Sequence, residues 1–163
     1  MSIILGAVKS HRICLILACV TVAAQTAMAG PAARSVPEAR VRVDHHLHEV
    51  LNVTGRLGVV LAAPCPTFAT AEEWKKFQEA RVNDIVLLLA HLEQAWVEAK
   101  SVKDDGLRRE AKAPRRQVEQ GRRLVAKLQT CAEENHASFS PLGVWMRIER
   151  EVPQRQAEIA LPE

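Results

Sequence analysis

The sequence predicts an all-α fold, most simply a four-helix bundle in up-down order. Apolar residues recur at i, i+3, i+4 and i+7 spacing in several long segments, which is the period of an amphipathic helix. The alternation typical of strands is not sustained anywhere, and the 163 residues include only seven glycines and no tyrosine. Prolines and capping residues separate the helical segments, so short connections should place consecutive helices side by side in opposite directions.

The first segment, residues 1–29, has the features of a secretory signal peptide. Lys9 and Arg12 give it a basic start, and an apolar stretch of about a dozen residues follows. Ala29 and the alanine two positions before it are the small residues that a signal peptidase accepts, which predicts cleavage after Ala29. Together with the alanine- and arginine-rich composition, this segment predicts export to the periplasm of a Gram-negative bacterium.

Two other interpretations of residues 1–29 stay open. An uncleaved anchor would need about 20 apolar residues, whereas Gln25 and Thr26 interrupt the apolar region here. Ile16-Leu17-Ala18-Cys19 loosely resembles the lipobox of a lipoprotein, but the apolar run continues past the cysteine. Simple cleavage ranks above both.

Composition limits the function classes for residues 30–163, which are enough for one domain with a sizeable core. Two of the 22 basic residues lie in the signal, so the remainder carries 20 basic and 19 acidic side chains. This near-neutral balance argues against nucleic-acid binding, which needs a clustered excess of Lys and Arg. The predicted export likewise argues against nucleic-acid binding.

Cysteine use fits an oxidising compartment. Cys14 and Cys19 belong to the signal, which leaves Cys65 and Cys131 as an even pair. We expect these two to form one disulfide bond, with two free buried thiols as the alternative. The chain contains no C-x-x-C motif, so neither thioredoxin-like chemistry nor covalent haem attachment is indicated.

The helical domain is expected to span residues 39–163, after a flexible lead-in over residues 30–38 that is rich in proline and alanine. The first helix begins near Ala39 and ends before Pro64, since the residue before a proline avoids the helical region. Its predicted inner stripe consists of Leu47, Val50, Leu51, Thr54, Leu57, Gly58 and Leu61.

The second helix has the clearest start. Thr70 and Glu73 form a capping box in which each side chain can satisfy a backbone donor, and an apolar stripe then continues to about Lys100. A turn at residues 104–106 leads into a charged third helix, which Pro114 either kinks or restarts.

The third helix carries Cys131 near its end, where the thiol could reach the loop that holds Cys65. Ser140 and Pro141 are a typical cap and first residue for a fourth helix. Pro153 either stops or kinks this last helix.

Residues 44–49 contain three histidines and two acids in six positions. On a helix, His45, His48 and Glu49 share one face. Imidazole and carboxylate groups at this spacing bind Zn, Ni, Co or Cu ions, so these three residues are the predicted metal ligands. The alternative is a solvated polar face without a specific role, unless His91 or His136 supplies a further ligand.

A run of basic residues in the third helix is a second candidate site. Its members are Arg108, Arg109, Lys112, Arg115, Arg116, Arg122 and Arg123. Such a strip can meet an acidic partner or anionic lipid headgroups, which allows peripheral contact with a membrane. The interleaved Glu110 and Glu119 favour the alternative, a solvated helix face with local ion pairs.

Searches for catalytic and cofactor motifs indicate no enzyme class. The chain contains no G-x-S-x-G, H-E-x-x-H, Walker or G-x-G-x-x-G motif. The first hypothesis is therefore a non-enzymatic helical protein of the cell envelope that binds a protein partner or assists a complex. The second is a periplasmic metal-binding or metal-sensing protein that uses His45, His48 and Glu49. The third is an enzyme whose site is assembled across helices.

Overall fold

The computed structural model describes Ala33 and residues 35–159, and the described chain is helical except for its connections. The predicted signal peptide lies outside the described residues. The described residues form four long helices, together with a short helix and a 3₁₀ turn that join the second long helix to the third. In chain order these are α1 (Val36–Ala62), α2 (Ala71–Ser101), α3 (Asp105–Lys112), the 3₁₀ turn (Ala113–Gln117), α4 (Val118–Glu134) and α5 (Pro141–Glu158).

The helix starts follow the predicted capping chemistry. Thr70 Oγ1 accepts a hydrogen bond from the backbone N–H of Glu73 at 3.2 Å, and the Glu73 carboxylate accepts one from Ala69 at 2.8 Å. Ser140 caps α5 in the same way, through the N–H of Gly143 at 3.1 Å. These side chains satisfy donors that have no partner within the helix.

Prolines account for the differences between predicted and observed boundaries. Helix α1 begins at Val36, earlier than the predicted Ala39, because Ser35 caps it and Pro37 suits its first turn. Pro114 lies in the 3₁₀ turn between α3 and α4. Pro153 lies inside α5 without ending it.

Helix α2 is the centre of the bundle, since it packs against α1, α4 and α5. The disulfide Cys65–Cys131 joins the α1–α2 loop to the end of α4, with Cα atoms 5.3 Å apart, and this confirms the predicted pair. Beside it, Asn135 Oδ1 accepts a hydrogen bond from the N–H of Phe68 at 2.9 Å. None of the described helices is both long enough and apolar enough to cross a membrane.

The core consists of two apolar clusters. The larger one is built around Leu57, Ile85, Leu88, Leu124 and Leu128. The smaller one contains mostly small residues near the start of α1 and the end of α2, including Val43, Ala95 and Ala99. The two clusters meet along α1 and α2, and this junction positions the site described next.

The inner face of α1 differs from the predicted stripe. Its buried residues are Ala39, Val43, His46, Val50, Val53 and Leu57. The prediction is correct at Val50 and Leu57 but wrong at Leu51 and Gly58, which are exposed. The helix is rotated relative to the prediction, which places His46 in the interior.

Candidate functional site: a buried histidine pair

Helices α1 and α2 bring two histidines together inside the bundle. His46 is fully buried and His91 is 7 % exposed. On α1, His46 lies between Val43 of the smaller cluster and Val50 of the larger one. On α2, His91 lies between Leu88 of the larger cluster and Ala95 of the smaller one. The pair therefore occupies the junction of the two apolar clusters.

The two imidazoles face each other through the same ring atom. His46 Nδ1 and His91 Nδ1 are 3.1 Å apart. In the neutral pair, one Nδ1–H donates to the lone pair of the other. Among the described residues, His46 Nε2 is buried without a hydrogen-bond partner. Leaving a buried polar atom unpaired costs about 1–3 kcal/mol, so the unpaired His46 Nε2 lowers the stability of the fold.

A third imidazole lies beside the pair. The ring centroid of His45 is 5.2 Å from that of His46 and 6.2 Å from that of His91. The centroids of His46 and His91 are 5.3 Å apart. Three imidazoles from two helices therefore form one cluster.

Burial keeps the pair neutral. Removal from water lowers the pKa of His46 to about 3, and His91 and His45 act in the same direction. Burial also lowers the pKa of His91, against the nearby carboxylate of Glu49, which raises it. Neutral imidazole is the form that binds metal ions.

A shallow hollow of about 280 Å³ gives access to the cluster. It is lined by His45, Glu49, Leu87, His91, Arg155, Glu158 and Ile159. Arg155 and Glu158, in the last turn of α5, form an ion pair with an N–O distance of 2.9 Å. The end of α5 thus lines the hollow together with His45 and His91.

The structure places the predicted ligands in different surroundings. His45 and Glu49 both line the hollow, beside His91. His48 is exposed and lies outside this lining, because it is turned about 160° from His46 around the helix. His136 follows α4 next to Asn135, at the disulfide end of the bundle, whereas His45 is roughly 25 Å along α1 from that end.

Sequence reasoning missed the central role of His46 and could name His91 only as a possible contributor. His46 follows the buried period of Val43 and Val50, and that period was the available signal. Across residues 35–159, no group of three or more His, Cys, Asp or Glu side chains is already arranged to hold a metal ion. The predicted metal ligands His45, His48 and Glu49 therefore stay a prediction.

The pair does have the spacing of two ligands. Two nitrogens bound at 2.0–2.1 Å to one tetrahedral zinc ion lie roughly 3.3 Å apart. The observed distance of 3.1 Å between the Nδ1 atoms is close to this value. An ion at this point would replace the single hydrogen bond with two coordinate bonds, which neutral imidazoles can form without losing a proton.

A second buried polar group near the site has a different character. The carboxylate of Glu98 is fully buried, and it accepts hydrogen bonds from the N–H of Ala33 and from Gln94, each at 3.0 Å. Arg42 lies 3.5 Å from the same carboxylate. This network holds the chain before α1 against α2, so we assign it a structural role.

Comparison of the chain with models of protein families, with curated proteins and with solved structures found no match. The geometry of the site is therefore the basis for assigning a function.

Proposed function

We propose that this chain is an exported helical protein that binds a transition-metal ion at His46 and His91, with His45 and Glu49 completing the site. The observation that carries the proposal is the pair of facing Nδ1 atoms, 3.1 Å apart in the interior. His45 and Glu49 lie at the edge of the same hollow, so rotation of their side chains would bring further ligands to the ion.

The donor chemistry selects the class of ion. Imidazole nitrogen suits Zn, Ni, Co and Cu, whereas Ca and Mg prefer oxygen ligands. With His45 and Glu49 the site would offer three nitrogens and one carboxylate. The proposal thus keeps two of the three ligands predicted from the sequence and replaces His48 with the buried pair.

Export is part of the proposal. The disulfide supports it, because such bonds persist in oxidising compartments such as the bacterial periplasm. Mass spectrometry of the protein from a periplasmic fraction should find a chain that begins at Gly30. A chain that keeps residues 1–29, or one that begins at a lipid-modified Cys19, would contradict simple cleavage.

Calorimetric titration of the mature protein with Zn, Ni, Co and Cu salts tests the metal site. We expect a dissociation constant below about 100 μM, or about −5.5 kcal/mol, for at least one ion. We expect the melting temperature to rise with the concentration of that ion. Weaker binding for all four ions would overturn the proposal.

Histidine variants locate the ligands. His91→Gln should abolish binding while keeping a polar side chain of similar size, and His45→Ala should weaken it. His48→Ala is the matched control, since it removes an exposed imidazole from the same segment and should leave binding unchanged. If His48→Ala weakens binding as much as His91→Gln does, the ion is bound by the exposed face of α1 instead.

The expectation of a protein partner in the cell envelope stays a prediction, as does the expectation that the chain is not an enzyme. No contact among the described residues bears on either.

A further inference from the structure

A trough runs across the surface from the α3–α4 turn to the groove between α2 and α5, and its chemistry changes along its length. It consists of three adjoining hollows of about 340, 370 and 650 Å³. Arg115 and Arg116 line both the first and the second hollow. Leu89 and Val118 line both the second and the third. The shared residues show that the three hollows adjoin one another.

The end at the turn is cationic. Its hollow is lined by Arg109, Lys112, Arg115 and Arg116 together with Ala113, and no acidic residue contributes to this lining. Arg115 is 3.4 Å from the carboxylate of Glu93. The other three cations form no ion pair with residues that the structure describes. Three positive charges thus converge on a concave surface without a counter-charge of their own.

The opposite end is largely apolar. Its floor and walls come from α2, α4 and α5, and include Leu89, Val118, Trp145, Ile148, Val152 and Pro153. Glu93, Arg122, Glu149 and Gln156 complete its lining. A volume of about 650 Å³ is within the range of ~300–1,000 Å³ that is usual for small-molecule pockets.

We propose that this trough binds a single-chain anionic lipid. The phosphate headgroup would lie among Arg109, Lys112 and Arg116, and the acyl chain would extend past Leu89 and Val118 toward Trp145. Guanidinium groups donate paired hydrogen bonds to phosphate oxygens, and a phosphate has enough acceptors for several cations at once. The apolar end would remove the acyl chain from water, which favours binding in proportion to the apolar area that is buried.

The apolar continuation favours a lipid over an acidic protein. A strip of basic residues alone would suit either partner. A peptide would bring backbone N–H and C=O groups along its whole length, whereas the third hollow offers mainly aliphatic side chains and a tryptophan, which suit an acyl chain. In the second hollow, between these ends, the carboxylates of Glu93 and Glu119 are paired with Arg115 and Arg122. The order of cationic and then apolar surface therefore matches the order of headgroup and acyl chain in a lipid.

The test is titration of the mature protein with lysophosphatidylglycerol below its micellar concentration, followed by tryptophan fluorescence. Lysophosphatidylcholine with the same acyl chain is the comparison, because its headgroup has no net charge. We expect at least roughly tenfold tighter binding of the anionic lipid. Equal affinity for the two lipids, or no binding of either, would overturn the proposal. A chelator in the buffer separates this result from the metal site.

Two matched double variants test the cationic end. R109Q/R116Q should weaken binding of lysophosphatidylglycerol by about tenfold or more, since it removes two charge-assisted contacts. R123Q/R150Q removes the same charge from exposed positions that line none of the three hollows, and it should have little effect. If both double variants weaken binding of the lipid by the same factor, binding depends only on the overall charge of the protein and the proposed site is wrong.

One variant tests the apolar end. Val152→Gln places an amide in the wall of the third hollow and should weaken binding of the lipid but not of glycerol phosphate. An unchanged affinity for the lipid would show that the acyl chain lies elsewhere. Circular dichroism of each variant confirms that the helices are intact.

Discussion

At the scale of single residues, His46 is the most informative position in the chain. It occupies the centre of the buried face of α1, between Val43 and Val50, where an aliphatic residue would be expected. Its burial depends on His91, which is 45 positions away in the sequence. The period of Val43 and Val50 indicates that His46 faces inward, but no local pattern reports its contact with His91.

The buried pair should make the metal-free protein sensitive to acid. The unfolded chain binds a proton at His46 below about pH 6.5, whereas the folded chain does so only near pH 3. The contribution of His46 to the free energy of unfolding is therefore fully present above about pH 6.5, and it is lost as the pH falls toward 3. We expect the free energy of unfolding to fall by about 2 kcal/mol between pH 7 and pH 5 from His46 alone. Burial lowers the pKa of His91 as well, which acts in the same direction.

Urea unfolding in the presence of a chelator measures this dependence. The other titratable and charged groups around the pair are His45, Arg42, Glu49, Arg155 and Glu158. The useful quantity is therefore the difference in pH dependence between the wild type and a variant. H46L/H91L should flatten the pH dependence, and His48→Ala should leave it as it is. A variant without the pair that still loses the same stability on acidification would contradict this account.

Two glycines on α1 are a second feature at this scale. A Cβ atom at Gly55 or Gly58 would meet nothing within 4 Å. Glycine inside a helix costs about 1 kcal/mol relative to alanine, so Gly55→Ala and Gly58→Ala should each raise the free energy of unfolding by about 0.5–1 kcal/mol. Gly121→Ala is the contrast, since its Cβ would lie 3.2 Å from Ile85 Cγ2 and should bring no gain. Urea unfolding of the three variants compares them directly.

At the scale of elements, sequence reasoning is accurate where capping residues set the end of a helix and inaccurate where packing sets its inner face. Helix α2 has a capping box and an apolar stripe, and its start at Ala71 and its end at Ser101 match the prediction. Helix α1 has apolar residues around most of its circumference, and Leu51 and Val59 remain 63 % and 72 % exposed. With such a broad distribution, the rotation of the helix is set by its neighbours and not by its own sequence.

The end of α1 shows one such neighbour. Its last turn contains no basic residue to interact with the free carbonyl groups. Lys127 of α4 supplies this charge: its Nζ donates to Leu61 O at 3.1 Å and also to Ala63 O. Helix α4 thereby caps the C-terminal end of α1.

Lys127→Met should remove this cap while keeping a similar apolar stem. We expect a loss of about 1–2 kcal/mol in the free energy of unfolding, because a charged donor to a helix end is lost. Lys75→Met is the control, since Lys75 is exposed and forms no ion pair with the described residues. Equal stability of the two variants in urea would show that Lys127 does not stabilise the end of α1.

At the scale of the whole molecule, the all-helical fold and the disulfide were predictable for different reasons. The fold follows from the helical period and the caps, which are local. The disulfide was predicted by counting, because the predicted removal of residues 1–29 would leave only Cys65 and Cys131. The buried histidine pair and the lipid trough depend on residues from two or more helices, so neither could be derived before the packing was known.

The disulfide should contribute strongly to the stability of this bundle. It closes a loop with a sequence separation of 66 residues, for which the chain-entropy estimate is about 4 kcal/mol. C65S/C131S should therefore lower the free energy of unfolding by about that amount and leave the helix content unchanged, since the effect acts mainly on the unfolded chain. Wild-type protein kept in a reductant should unfold at the same urea concentration as the double variant. A loss of helical circular dichroism before urea is added would contradict this expectation. It would mean that the contacts of Asn135 and Lys127 do not hold α4 against the α1–α2 loop without the disulfide bond.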